Sequence, residues 1–246
     1  MTSPNAMGAL KAECALTLRI LFRQPAFWVP TVLFPAMLYA FFGAQSGGGQ
    51  WAANAMASFI VYAAVGVGFY LFGVSIAQDR VSPFATWQRS LPGRFVDQWI
   101  ARIVAALIFV VIAAALVAVM ALVMTDVSLN AAAWVRLSVV CLLSAVAATL
   151  MGIALGSLVS ASASVAIANL IYLPLAYLGG LWVPPFAMPE VIAAISEWTP
   201  TRAMGELAWA AVEARAWEVD HLILLLAWAL AAGALAAAAQ RRTRPA

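Results

Sequence analysis

Few residues of this chain could take part in covalent chemistry. The 246 residues include one histidine, His221, and two cysteines, Cys14 and Cys141, so neither a zinc site nor a disulfide framework is expected. The single lysine, Lys11, follows Leu10, so the Gly-Lys pair of a phosphate-binding loop is missing, and no HExxH or GxSxG motif occurs. We therefore expect no catalytic residue, no metal site and no cofactor bound by this chain, and any ATP that it uses would be bound by another polypeptide.

The composition predicts an integral membrane protein. Hydrophobic residues make up 65% and charged residues 9% of the chain, with a mean hydropathy of +0.97. Soluble domains average about 45–50% apolar and about 25% charged residues, and disordered chains are poorer still in apolar residues, so both classes are excluded. The one basic cluster, Arg241, Arg242 and Arg244, is too small for a nucleic-acid surface, so no nucleic-acid partner is expected.

Six apolar runs approach the length of about 20 residues that a membrane-spanning helix needs. They lack the period-two alternation of barrel strands, which predicts an all-α membrane fold. The first run carries Pro30 and Pro35, and the fifth carries Pro174. The predicted spans are about 26–43, 54–77, 102–124, 134–160, 165–182 and 221–239, within one membrane domain over residues 1–246.

The distribution of basic residues predicts the orientation of these spans. If the N-terminus is cytoplasmic, 10 of the 13 Lys and Arg residues lie on the cytoplasmic side and 7 of the 10 Asp and Glu residues lie outside. Cytoplasmic loops carry an excess of basic residues, so both termini are expected in the cytoplasm. The net charge of +3 then divides into +7 inside and −4 outside, and it reflects topology rather than affinity for anionic partners.

Residues 1–25 are too charged to span a membrane. An apolar face predicts an amphipathic helix lying at the membrane interface, and a frayed polar tail is the alternative. Lys11 lies close to this face, whereas Arg19 and Arg23 lie off it. The face consists of Leu10, Cys14, Leu18, Leu21 and Phe22.

The segment 78–101 is the most charged of the predicted cytoplasmic loops. Ser82 as an N-cap with Pro83 at the first helical position predicts about two helical turns before Pro92. A short helix of this kind could be pushed by a cytoplasmic partner, and an ordinary solvated loop is the alternative. The candidate coupling residues are Asp79, Arg80, Ser82, Arg89 and Arg94.

The segment 183–220 is the longest stretch between predicted spans. Its prolines separate two apolar pieces, about 190–198 and 201–216, which are too short to span and too apolar for a free loop. Thr199 or Thr201 could cap the second piece. Two short helices that dip into the outer leaflet fit this pattern, and a hairpin lying flat on the headgroups is the alternative.

Small, polar and aromatic residues mark three of the spans. Small residues recur every fourth position in the fourth span at Ala148, Gly152, Gly156 and Ser160, which predicts a close helix contact. The second and fifth spans mix aromatic, polar and glycine residues, as helices that line a pathway for amphipathic molecules do, although ordinary helix interfaces show the same mixture. The candidate pathway residues are Phe69, Tyr70, Asn169, Tyr172 and Tyr177.

Four stretches of the sequence resemble the permease subunits of bacterial type-2 ABC exporters. The opening RQPAFWVPTVLFPAMLYAFFG is similar to the family's proline-containing first span, and the loop QDRVSPFATWQRSLPGRFVDQWIAR is similar to its first cytoplasmic loop. The fifth span and outer segment, NLIYLPLAYLGGLWVPPFAMPEVIAAISEWTPTRAMGELAW, carry the most specific likeness, and the basic tail is the fourth stretch. The loop departs from the family in having Asp79-Arg80-Val-Ser-Pro where Glu-Arg-x-x-Gly-Thr is frequent.

The resemblance implies a six-helix half-transporter in the bacterial inner membrane. It would dimerise with a second copy or a related permease, and it would dock through the loop 78–101 on a separate ATPase subunit that binds ATP and Mg. The second and fifth spans would line the path of a small amphipathic substrate through the bilayer. The outer helix pair would form an exit gate, with Pro184, Pro185, Glu190, Trp198 and Pro200 as candidate gate residues.

Two other functions stay open at the level of the sequence. A non-transport assembly or immunity scaffold could use the same fold. An ion-coupled carrier is less consistent with the sequence, because the predicted spans hold no ionisable residue deep within them. We expect export of an amphipathic or hydrophobic molecule, with the substrate itself left open.

Overall fold

The computed structural model describes residues 6–45, 47–82 and 95–242, and it is helical throughout, with no strand in these ranges. The predicted all-α fold is therefore confirmed. The α-helices are α1 (Ala6–Phe22), α2 (Pro25–Leu38), α3 (Gln50–Gly66), α4 (Ser75–Asp79), α5 (Phe95–Met124), α6 (Ala131–Leu158), α7 (Ser164–Leu178), α8 (Glu190–Ser196), α9 (Pro200–Val212) and α10 (Val219–Arg242). Two π-helical segments, π1 (Tyr39–Gly43) and π2 (Val67–Val74), continue α2 and α3, and a 3-10 turn covers Pro185–Ala187.

Within the described residues, four helical stretches are long and apolar enough to cross a membrane: Gln50–Asp79, Asp97–Met124, Ala131–Leu158 and Val219–Ala239. They coincide with the second, third, fourth and sixth predicted spans. The first and fifth predicted spans form shorter apolar helices, Trp28–Gly43 and Ser164–Leu178. The fifth stops early because Gly179 and Gly180 follow it, and Gly180 has a φ of +75° that a continuing helix cannot adopt.

The stretch Gln50–Asp79, formed by α3, π2 and α4 without a break, is the central helix of the bundle. Of its most apolar window, 89% is buried, against 17% for the corresponding window of α10. It packs against α2, α5, α6 and α9, while α10 packs on the outside of α6 and α9. We call this stretch the central helix below.

The closest helix contact joins π2 to α6. A methyl group on Gly152 would overlap the carbonyl oxygen of Gly68, and one on Gly156 would overlap the carbonyl oxygen of Gly73. The small-residue face predicted in the fourth span is thus a packing surface within the chain, because only residues without bulk let the two backbones approach this closely. Ser160, the last predicted member of that face, lies beyond the end of α6.

The predicted N-terminal helix is present as α1, which packs along α5. On its predicted apolar face Leu21 is buried and Leu10, Cys14 and Leu18 are half-buried. Phe22 is partly exposed, but its ring lies 4.9 Å from the ring of Phe109 in α5. The chain is therefore helical from Ala6 to Phe22 and does not form the frayed tail that was the alternative. Burial of its apolar face against α5 stabilises this helix.

Candidate functional site

The predicted coupling residues Asp79 and Arg80 lie where the central helix ends. The Asp79 carboxylate pairs with Arg102 of α5 at 3.6 Å. Arg80 donates from Nη1 to the carbonyl oxygens of Gly156 and Ser157, at 3.1 and 2.5 Å, in the last turn of α6. The carbonyls of the last turn point out of the helix end, so the Arg80 cation binds them and lies at the favourable end of the helix dipole.

Three helix ends thus meet at the start of the predicted coupling loop. The Ser82 hydroxyl donates to the carbonyl oxygen of Asp79 at 2.8 Å and closes a turn there. The helix that Ser82 is predicted to cap begins outside the described residues. Arg89, Arg94 and the predicted short helix between Pro83 and Pro92 lie outside the described residues. A force applied to this loop would reach the central helix, α5 and α6 through Asp79 and Arg80.

Four of the five predicted pathway residues form one cluster between π2 and α7. The Tyr172 ring stacks on Phe69 with centroids 6.2 Å apart and meets Tyr70 edge-on at 5.6 Å. Tyr70 donates a hydrogen bond to Oδ1 of Asn169, and the Tyr172 hydroxyl donates to the backbone carbonyl of Tyr62 at 3.1 Å. Tyr62 belongs to the same mixed part of the second span but was not among the candidate pathway residues, and its ring lies 4.9 Å from that of Tyr172.

Tyr177 does not belong to this cluster. It lies five residues after Tyr172, which turns its direction by about 140° around the helix axis at about 100° per residue. It is half-buried on another side of α7. The fifth predicted pathway residue is therefore separate from the other four.

The segment after α7 folds back onto the end of that helix. The Thr201 hydroxyl donates to the carbonyl oxygen of Leu175 at 2.5 Å, and the Ser196 hydroxyl donates to that of Leu178. Thr199 accepts a hydrogen bond from the backbone N–H of Arg202, which confirms Thr199 as the N-cap of α9. Ser196 thereby donates to a carbonyl in the last turn of α7. Thr201 is a second donor to the Leu175 carbonyl, which also accepts from the backbone N–H of Gly179.

The predicted gate residues are spread over this segment rather than gathered at one point. Pro184 and Pro185 line a cavity beside the central helix. Pro200 is buried at the first position of α9, whereas Glu190 is exposed at the start of α8. Trp198 is exposed, and its backbone carbonyl accepts a hydrogen bond from Nε1 of Trp228 at 3.0 Å.

Two further polar contacts were missed at the level of the sequence. The first is the ion pair of Arg102 with Asp79. The sequence offered only one indication of it, the position of Arg102 at the start of the third predicted span. Arg202 and Glu206 form an ion pair of 2.7 Å on α9, and their spacing of four residues on a predicted helix could have revealed it.

The central helix connects the coupling end, the aromatic cluster and the outer segment. The central helix carries Asp79 at one end, Phe69 and Tyr70 in its π-helical part, and Asn54 in its first turns, where Asn54 Nδ2 donates to Glu213 at 2.8 Å. Its 30 residues correspond to about 45 Å at 1.5 Å per residue. The candidate site is therefore a series of contacts along one membrane-spanning helix.

These features define the class: an all-helical, multi-pass membrane protein. The family model for "ABC-2 type transporter" matches residues 10–211, and the chain belongs to that family. It is also similar to "Putative transport permease YvfS" of Bacillus subtilis (strain 168), with 21% identity over 227 residues that cover 90% of this chain and 93% of the relative. The predicted family is therefore confirmed. Permeases of this family typically pair with an ATP-binding subunit.

Proposed function

We propose that this chain is the membrane subunit of an ABC exporter that moves an amphipathic or hydrophobic molecule out of the cytoplasm. ATP would be hydrolysed by a separate subunit docked on the loop that follows Ser82, in a bacterial inner membrane. The observation that carries the proposal is the unbroken central helix, which touches the coupling end, the aromatic cluster and the outer segment in turn.

We place six spans in the bilayer, with both termini in the cytoplasm. The unbroken helical stretch Pro25–Gly43 extends the first short helix to a length of about 28 Å, close to the hydrocarbon thickness of about 30 Å. The stretch Ser164–Leu178 is shorter, about 22 Å at the same rise, and α8 and α9 complete the remaining depth. Nearly all of α9 is buried, which supports a re-entrant helix pair rather than a hairpin lying flat.

The aromatic cluster is packed shut in this conformation. Phe69 and Tyr172 are 2% and 4% exposed, so a substrate would pass only when α7 moves away from π2. The hydrogen bond between Tyr70 and Asn169 would open in the same movement. A π-helical segment is a place where a helix readjusts its register, and such segments are frequent at functional sites.

The predicted coupling residues acquire a mechanical role in this proposal. Docking of the ATPase subunit would displace the loop, and Arg80 would carry the displacement to α6 through its two carbonyl contacts. Asp79 would carry it to α5 through Arg102. A second copy of the chain, or a related permease, would complete the transporter.

A vesicle assay tests this function. The chain is expressed with an ATP-binding-cassette subunit that copurifies with it, and inside-out vesicles are assayed for ATP-dependent uptake of lipophilic dyes. We expect uptake that stops when the ATPase carries a substitution that blocks hydrolysis. Uptake that survives this substitution and collapses with the ion gradient would show a carrier, and assembly without any uptake would show a scaffold.

A further inference from the structure

A cavity of about 430 Å³ lies beside the first turns of the central helix, at the end opposite Asp79. It is bounded by α3, by α9 and by the segment after α7, and its volume falls within the range of about 300–1,000 Å³ typical of ligand sites. Its rim is aromatic: Phe42, Trp51 and Phe186 are all more than half exposed. These rings offer a ligand a large apolar surface.

The inner wall of this cavity carries four charges that cancel one another. Arg202 and Glu206 of α9 pair at 2.7 Å, and Arg215 donates to Glu213 at 2.5 Å and lies 3.8 Å from Glu206. Glu213 also accepts a hydrogen bond from Asn54. An anionic or a cationic ligand would have to displace one of these partners and leave another charge uncompensated, which is costly in a partly buried site. The wall therefore disfavours a ligand with a net charge.

Hydrogen-bonding groups nevertheless stay within reach of a ligand at the outer edge of this wall. The Arg215 side chain is 46% exposed, and a guanidinium has five N–H groups, more than its two carboxylate partners use. The Glu213 side chain is 26% exposed, and each carboxylate oxygen can accept a second hydrogen bond. Accessible donors and acceptors thus lie side by side in a neutral wall. A hydroxyl group can use both at once, because it donates and accepts at the same atom.

We propose that this cavity binds an uncharged amphiphile with a hydroxyl-rich head. Its hydroxyl groups accept from Arg215 and donate to Glu213, and its apolar part lies against the rim of Phe42, Trp51 and Phe186. These hydrogen bonds are charge-assisted, and they form without breaking any ion pair of the wall. The ligand is either a neutral lipid of the bilayer or a free amphiphile. The inference goes beyond the proposed function, since it requires no transport and no ATPase subunit.

Tryptophan quenching tests this site. The chain is reconstituted in nanodiscs of phosphatidylcholine and titrated with three ligands that share one bromine-terminated alkyl chain: a glucoside, a sulfate and a primary ammonium. Bromine quenches nearby indoles, and Trp51, Trp182 and Trp209 line the cavity. We expect saturable quenching by the glucoside, and for the two ions only quenching that rises linearly with their partitioning into the bilayer. Linear quenching by the glucoside, or equal saturable quenching by all three ligands, would overturn the proposal.

Glu213→Gln is the decisive variant. It keeps an acceptor for Asn54 but removes one negative charge, so Arg215 is left uncompensated. Binding of the sulfate should become saturable and strengthen by about tenfold, the gain expected for one charge-assisted hydrogen bond. Binding of the glucoside should persist, because an amide also donates and accepts. Glu197→Gln, the same change at an exposed carboxylate outside the cavity lining, is the matched control and should keep the preference of the original chain.

Arg215→Gln is the reverse variant, and it takes the place of Glu213→Gln should that variant not fold. It leaves Glu213 without its arginine, so the ammonium ligand rather than the sulfate should gain saturable binding. A folded variant of either kind that keeps the ligand preference of the original chain would overturn the claim that the neutral wall selects the ligand.

Two further arms locate the ligand and its source. Phe186→Ala, at a side chain that is 74% exposed, should weaken glucoside binding through loss of the rim contact, and unchanged binding would overturn the assigned position of the apolar part. Competition by a neutral glycolipid added to the nanodisc would identify a bilayer lipid as the occupant, and its absence a free amphiphile. Free glucose should not compete at the concentrations at which the glucoside saturates, and full competition by it would refute an amphiphile site.

Discussion

Substitution of Gly152 by alanine should separate two helices that now touch. The added methyl group would overlap the backbone carbonyl oxygen of Gly68, an atom that cannot rotate out of the way. The contact between α6 and π2 must widen to accept it. Gly233→Ala on α10 is the matched control, because its methyl group would lie 3.9 Å from Cδ2 of Leu150, an ordinary van der Waals distance.

The two variants differ in the cost of overpacking, which lowers the free energy of unfolding at Gly152 only. Alanine is favoured over glycine in a helix interior by about 1 kcal/mol, and this gain applies to both positions. Overpacking at Gly152 costs about 1–3 kcal/mol, whereas Gly233 has room for the methyl group. We therefore expect Gly233→Ala to raise the free energy of unfolding by up to about 1 kcal/mol. Gly152→Ala should fall below Gly233→Ala by about 1–3 kcal/mol, which is the overpacking cost alone.

The measurement is unfolding of the purified chain in mixed micelles by titration with a denaturing detergent, followed by circular dichroism. The difference in free energy of unfolding between the two variants is the tested quantity, because it cancels the shared propensity term. If Gly152→Ala is as stable as Gly233→Ala, the backbones of α6 and π2 do not approach each other as closely as described.

Three further predictions concern the coupling end, the aromatic cluster and the N-terminal helix. Replacing Arg80 and Arg89 together by alanine should lower substrate-stimulated ATP hydrolysis by the assembled complex, because the carbonyl contacts of Arg80 with α6 are lost. Tyr70→Phe should lower the free energy of unfolding by about 1 kcal/mol, since the hydrogen bond to Asn169 is removed. Burial raises the pKa of the Cys14 thiol, so at a given alkaline pH its thiolate fraction, and its rate of reaction with a maleimide, should be lower than in the unfolded chain.

Each of these predictions has a result that would contradict it. Unchanged assembly and ATP hydrolysis in the Arg80 and Arg89 double variant would show that neither residue belongs to the coupling contact. Arg19→Ala, at an exposed position on α1, is the control and should leave both unchanged. Combining Tyr70→Phe with Asn169→Leu should cost less than the two changes summed, because both partners of one hydrogen bond are removed. Additive losses would mean that the two side chains act separately. Equal maleimide rates in folded and unfolded chains would show that α1 leaves the Cys14 thiol in water.

The apolar runs were sufficient to predict the helices. The predicted span 54–77 lies within the observed stretch Gln50–Asp79, and 102–124 lies within Phe95–Met124. Membrane helices follow from hydropathy because backbone groups in the bilayer must be paired within the segment. The cap at Thr199 was also predictable, since a threonine followed by Pro200 is a local signal for a helix start.

The polar contacts could not be predicted in the same way. Asn54 and Glu213 are 159 residues apart, and only the packing of α9 on α3 brings them together. The predicted topology placed Glu213 on the outside but gave it no partner. Likewise, no local pattern in the sequence predicted the π-helical segment Val67–Val74, which packs closely against α6.

The candidate site was predicted in part for the same reason. Phe69, Tyr70, Asn169 and Tyr172 share a cluster because two separate helices meet, which the mixed composition of both spans suggested. Tyr177 met the same compositional criterion but lies on another side of α7. Composition identifies the helices that meet, whereas the rotation of each helix decides which side chains lie in the contact.

Affinity purification of this chain from its native membranes is the most direct test of the central claim, that it is a transport subunit driven by a separate ATPase. Mass spectrometry should identify an ATP-binding-cassette subunit in a stoichiometric amount, and the purified complex should hydrolyse ATP. Purification of the chain from the same membranes without any ATP-binding-cassette subunit, under detergent conditions that keep a known ABC transporter intact, would contradict the account.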